Sequence, residues 1–102
     1  MNSKEMEQII IERYKQDEDT MILVFAQWCV NHGLDAVELY MRAYPHQVSN
    51  GRLLETLALT APKEEAGDID DETVLQVLSL FGNEELAFVV SEEIDRRLKN
   101  NR

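Results

Sequence analysis

Read for its alternation of apolar and polar positions, the chain breaks into short segments of helical period. Met6, Ile9, Ile10 and Tyr14 recur at helical spacing between Ser3 and Gln16, and Asn2 with Glu5 forms a capping-box start. Ile11 lies off that stripe, so this helix has a broad apolar face, either sandwiched between neighbours or meeting another chain. After the polar Asp17-Glu18-Asp19-Thr20, the stretch Met21–His32 is apolar nearly all round. Periodicity alone does not separate a buried strand from a buried helix here. The twelve residues that run without a breaker to Gly33 favour a central helix.

Asp35 and Glu38 form a second capping box, opening a helix over Ala36–Tyr44 that stops before Pro45. Its inward face is expected to carry Val37, Leu39/Tyr40, Met41 and Tyr44. Leu53, Leu54, Leu57, Ala58 and Ala61 give a short further helix. The segment 62–71 reads as an acidic linker, with six acids from Glu64 to Glu72 against the single base Lys63. Asp70 or Asp71 then caps a helix through Val74, Val77, Leu78 and Phe81. Gly82 ends it, and Asn83 caps a last helix with the stripe Leu86, Val89/Val90, Ile94 and Leu98. On that helix Glu92–Arg96, Glu93–Arg97 and Asp95–Lys99 stand in the favourable acid-before-base order at i,i+4.

The expected fold is all-α: a compact bundle of five to six short helices built from α-hairpins. It forms one domain over 1–102, with helical subsets 1–61 and 70–102. Only four Gly and two Pro in 102 residues leave an all-β chain short of turns. The pattern Gly33-x-x-Ala36-x-x-x-Tyr40-x-x-Ala43 followed by Pro45 resembles the second helix of a tetratricopeptide-type repeat. That resemblance covers about thirteen residues and implies an α-hairpin at this point.

Charge narrows the function classes. The net charge is −10, and each third of the chain is acidic by itself. Such a field repels nucleic-acid phosphates and anionic lipid, so neither partner is expected. Met1 leads into Asn2-Ser3-Lys4-Glu5 with no apolar signal segment. The most apolar window, Met21–Val30, is half the length of a membrane span and includes Gln27. One cysteine, Cys29, excludes an internal disulfide. The chain therefore reads as cytoplasmic.

Candidate chemistry is sparse. Cys29-x-x-His32 sets a thiol and an imidazole one turn apart, with His46 beyond the next helix, but zinc wants four ligands. Cys29, between Trp28 and Val30, reads as a small hydrophobe and His32 as a dipole-matched helix end. A calcium loop starting at Asp68 fails, because its sixth and twelfth positions hold Thr73 and Ser79. There is no glycine-rich phosphate loop, G-x-S-x-G or H-E-x-x-H. No enzyme, cofactor or metal is therefore expected.

What remains is a regulatory or adaptor module that binds another protein. Its candidate surfaces are the first helix (Met6, Ile10, Ile11, Tyr14) and the cluster Tyr40, Met41, Arg42, Tyr44, residue types enriched in interface cores. Self-association through the first helix would use its surplus isoleucine. The alternative is an acidic inhibitor of the antitoxin, immunity or anti-factor type that binds a basic protein. An enzyme using Cys29 and His32 ranks behind both.

Overall fold

Helix ends, more than helix interiors, organise this molecule. A computed structural model describes residues 18–46 and 51–100. Among them are five helices: α1, described over 18–31; α2, Ala36–Ala43; α3, Gly51–Leu57; α4, Asp71–Leu80; and α5, Glu84–Asn100. No strand occurs among the described residues, so the apolar run after Thr20 is helical. The fold is an all-α bundle.

Both glycines that end helices do so with the same hydrogen bonds. Gly33 N–H donates to the Val30 carbonyl and Leu34 N–H to that of Cys29. Gly82 N–H donates to Ser79 and Asn83 N–H to Leu78. Each pair is a Schellman motif, which needs a left-handed residue, and φ is +66° at Gly33 and +75° at Gly82. The chain then turns at once into α2 and α5. Asp35 caps α2 as expected, its carboxylate accepting from Val37 and Glu38 N–H.

One core joins the helices. Met21, Ile22, Phe25, Trp28 and Cys29 of α1 pack with Leu39 of α2, Leu53 of α3, Val74 and Leu78 of α4, and Leu86, Val89 and Val90 of α5. Both α2 and α4 pack on α5. Leu98, placed by its spacing on the inward stripe of α5, is instead 58% exposed, and Met41 of α2 is also exposed. The 17-residue α5 spans roughly 25 Å, and its outer turns extend past the core that holds Leu86 and Val90. The helix after the second loop also stops earlier than its apolar spacing suggests, at Leu57, leaving Leu59 exposed.

The acidic linker is bound to the bundle. Gln27, on the side of α1 away from Phe25 and Cys29, makes a two-way bond with Ala61. Its Nε2 donates to the Ala61 carbonyl and its Oε1 accepts from the Ala61 N–H, both at 2.9 Å. Asn31, one turn later, donates to the Gly67 carbonyl. Ile69 packs against the core. Two amides that interrupt the apolar run of α1 thus satisfy backbone groups of a segment more than 30 residues away.

Candidate functional site

Two places on the surface concentrate chemistry, and α5 connects them. The first is a closed polar junction where the end of α1, the start of α4 and the last turns of α5 meet. Trp28 is fully buried, and its indole N–H donates to Asp71 Oδ1 at 3.0 Å. The other carboxylate oxygen of Asp71 accepts from Arg97 Nη2. The Arg97 Nη1 lies 2.8 Å from His32 Nδ1, and the His32 ring tilts over Trp28 at a centroid distance of 4.9 Å. The same Nη1 is 3.3 Å from Nε2, and a nitrogen this close to both ring nitrogens stands over the ring face, so the guanidinium packs on the imidazole of His32. Burial, then the Arg97 charge, hold its pKa below the usual imidazole value, outweighing Asp71.

Next to this junction Glu93 is buried although charged, its side chain 7% exposed. Arg42 of α2 donates to it at 2.7 Å and Arg96 at 3.1 Å. The Glu93 hydrogen bond in turn raises the Arg42 pKa. These contacts replace the expected ladder of i,i+4 pairs on α5. Arg97 leaves Glu93 for Asp71, and Arg96 takes Glu93 at i,i+3. Among the described residues every buried side-chain nitrogen and oxygen has a hydrogen-bond partner.

Asn83 stands immediately before α5, as expected, its carbonyl accepting from Ala87 N–H. Its side chain bridges elements: Oδ1 accepts from the Tyr44 hydroxyl at 2.8 Å, and Nδ2 reaches Met21 Sδ. Asp70 occupies the N-cap of α4 without a side-chain cap bond, while Asp71 serves the junction.

The second place is open. A groove of about 560 Å³ runs between α2 and the first half of α5. Ala43 and Val89 line its apolar part, Phe88 stands in its wall 66% exposed, and Glu84, Glu85 and Glu92 supply carboxylates. Among the described residues its single cation is Arg42, held by Glu93 below and Glu92 beside it.

Cys29 is buried, and burial, with Asp35 and Glu93 adding to it, pushes the thiol up to about 12. It is a protonated core side chain, 0% exposed, at neutral pH. Tyr40 and Tyr44 are half-buried against the core with their rings 5.1 Å apart. Met41 points outward, 53% exposed, and Arg42 reaches the groove. Met6, Ile10, Ile11 and Tyr14, and with them self-association through the first helix, lie outside the described residues. Sequence reasoning missed Phe88, whose signal was an aromatic residue off the Leu86–Val89–Val90 stripe. It also missed the cross-element bonds of Asp71 and the burial of Glu93, which no local pattern announces.

Fold and surface define a small acidic all-helical module with one satisfied polar junction and one open apolar–acidic groove. Comparison with known proteins gives its family: residues 2–95 match the YxiS family, and the chain belongs to it. It is 51% identical over 98 residues to a protein of Bacillus subtilis (strain 168) described as "Uncharacterized protein YxiS". The alignment covers 95% of this chain and 98% of that relative. No solved structure matches it.

Proposed function

We propose that this protein is a non-enzymatic interaction module of the cytoplasm that takes a basic, amphipathic segment of a partner protein in the α2–α5 groove. The observation that carries this reading is Phe88, a large aromatic side chain held 66% exposed beside Ala43 and Val89. An exposed aromatic residue next to an apolar depression is the usual anchor of a docking surface. The charges select the occupant. Glu84, Glu85 and Glu92 border the groove, and the Arg42 guanidinium in its wall is neutralised by Glu93 and Glu92. A segment with Lys or Arg flanking an apolar face complements that pattern, and an acidic one is repelled. With a net charge of −10 behind it, the groove also attracts such a partner from a distance.

No helix among the described residues is long and apolar enough to cross a membrane. The acidic-inhibitor alternative uses the same groove and differs in consequence, since the basic partner would lose activity on binding.

A photoreactive phenylalanine analogue placed at position 88 in the native cell tests the reading. The cross-linked peptide, identified by mass spectrometry, is expected to be net basic and apolar on one helical face. Charge reversal at Glu84→Lys and Glu85→Lys should abolish its recovery. An acidic cross-linked peptide, or recovery that survives both reversals, contradicts the proposal.

A further inference from the structure

The groove calls for a basic segment with an apolar side chain, and the chain carries one of its own. Arg96, Arg97 and Lys99, three of its ten cations, fall within four residues near the end of α5, around Leu98, which is 58% exposed. Arg97 turns inward to Asp71, whereas Arg96 and Lys99 are exposed. The acids Glu84, Glu85 and Glu92 stand nearer the start of the same helix, around Phe88. The outer surface of α5 is thus acidic and aromatic at one end, basic and aliphatic at the other. Glu84, Phe88, Ser91, Asp95 and Leu98 alternate at intervals of four and three residues, the spacing of a helix–helix seam. Of these five only Ser91 is half-buried, and the others are exposed.

Run antiparallel to itself about a two-fold axis, this seam is self-complementary. With Leu98 of one copy opposite Phe88 of the other, Ser91 falls opposite Asp95, a hydroxyl donor beside a carboxylate. On the flank that carries the groove, Glu85 comes within a turn of Lys99 and Glu92 within a turn of Arg96. The two Glu92 carboxylates approach near the axis, and each brings its own Arg42, 3.4 Å away. At physiological salt the charge of −10 on each copy is screened beyond about 8 Å, so these local pairs decide.

We propose that the occupant of the groove is the last turns of α5 of a second copy, so that the chain forms a two-fold dimer by antiparallel α5–α5 pairing. The inference rests on the groove reading and names its basic segment. Two-fold symmetry makes every contact occur twice and fills both grooves. It also gives Leu98, which lies beyond the core of its own bundle, an apolar neighbour. A single pair of helices about 25 Å long buries less than a standard interface, so the dimer is weak and forms as concentration rises.

Sedimentation of the full chain from about 10 µM to about 1 mM at physiological salt reads the association. The apparent mass should climb from that of one chain, 11.8 kDa, toward that of two. Phe88→Ala should weaken dimerisation about 30-fold and Leu98→Ala about 10-fold, with far-UV ellipticity unchanged. The decisive comparison reverses charge at two exposed positions. Glu85→Lys alone sets lysine near lysine at both contacts, and Lys99→Glu alone sets glutamate near glutamate, so each variant should stay monomeric. An equimolar mixture of the two restores both opposite pairs and should regain the wild-type mass. A wild-type chain of constant mass up to the highest concentration overturns the dimer, and so does a mixture no heavier than its components. A dimer indifferent to Phe88→Ala and to both reversals overturns α5 as its interface. If this chain is monomeric while position 88 captures a basic peptide of another protein, the second copy is excluded and the groove reading stands.

Discussion

The two halves of α5 treat charge in opposite ways. In its first half Glu84, Glu85 and Glu92 stand around an open groove, with Phe88 exposed among them. In its second half Glu93, Arg96 and Arg97 reach partners on the same helix, on α2, on α4 and at the end of α1, and among the described residues no buried side-chain nitrogen or oxygen lacks one. The satisfied end shows where the fold is held, and the open end is where the proposed function places a partner. Polar side chains that build structure are tied across elements. Glu84, Glu85 and Phe88 are instead exposed beside apolar surface, the arrangement that the proposed function uses.

That division can be broken at its closed end first. Asp71→Ala leaves the buried Trp28 indole N–H without an acceptor and frees Arg97. A loss of about 2 kcal/mol of stability is expected from the unsatisfied N–H, read as a lower denaturant midpoint at unchanged slope. Glu93→Gln should cost about 1 kcal/mol, since two of its partners keep access to water, and Glu92→Gln next to it should cost nothing measurable. Equal effects at positions 92 and 93 would erase the boundary between the halves.

Proton linkage gives a smaller effect confined to the same end. The folded pKa of His32 lies below 6.5, so the unfolded chain binds the proton more tightly. The stability contributed by neutral His32 is complete above pH 6.5 and is lost as pH falls through the folded value. His32→Gln should remove that slope from stability measured between pH 8 and pH 5. At the open end, Phe88→Ala should change stability by less than about 0.5 kcal/mol, because the side chain it removes is mostly in water.

The sequence carried the local half of this picture. Gly33 and Gly82 stop helices by one backbone motif, and Asp35 caps α2, because each needs only neighbours within five residues. The helical state of α1 was legible from the run length before Gly33. The junction was not, because its bonds span 26 to 65 residues: Asp71 to Arg97, Trp28 to Asp71, Arg42 to Glu93, His32 to Arg97. Local rules even pointed elsewhere, pairing Glu93 with Arg97 on one helix. Burial decides otherwise, because a carboxylate 7% exposed gains more from the 2.7 Å bond to Arg42 than from a solvated i,i+4 partner. Asn83 is legible as the residue that starts α5, but its bonds to Tyr44 and Met21, 39 and 62 residues away, are not. Phe88 was visible as an aromatic residue off the stripe, but nothing in the sequence placed Ala43 of α2 beside it.

The most direct test of the division is calorimetric titration of the peptide cross-linked at position 88 into three proteins: wild type, Phe88→Ala and Asp71→Asn. Phe88→Ala should weaken binding about 30-fold, the loss of one hot-spot anchor, with stability intact. Asp71→Asn should bind as the wild type does, and affinity for both should fall as salt is raised. Binding that is indifferent to Phe88 and to salt but lost in Asp71→Asn would put recognition at the closed end and contradict the assignment.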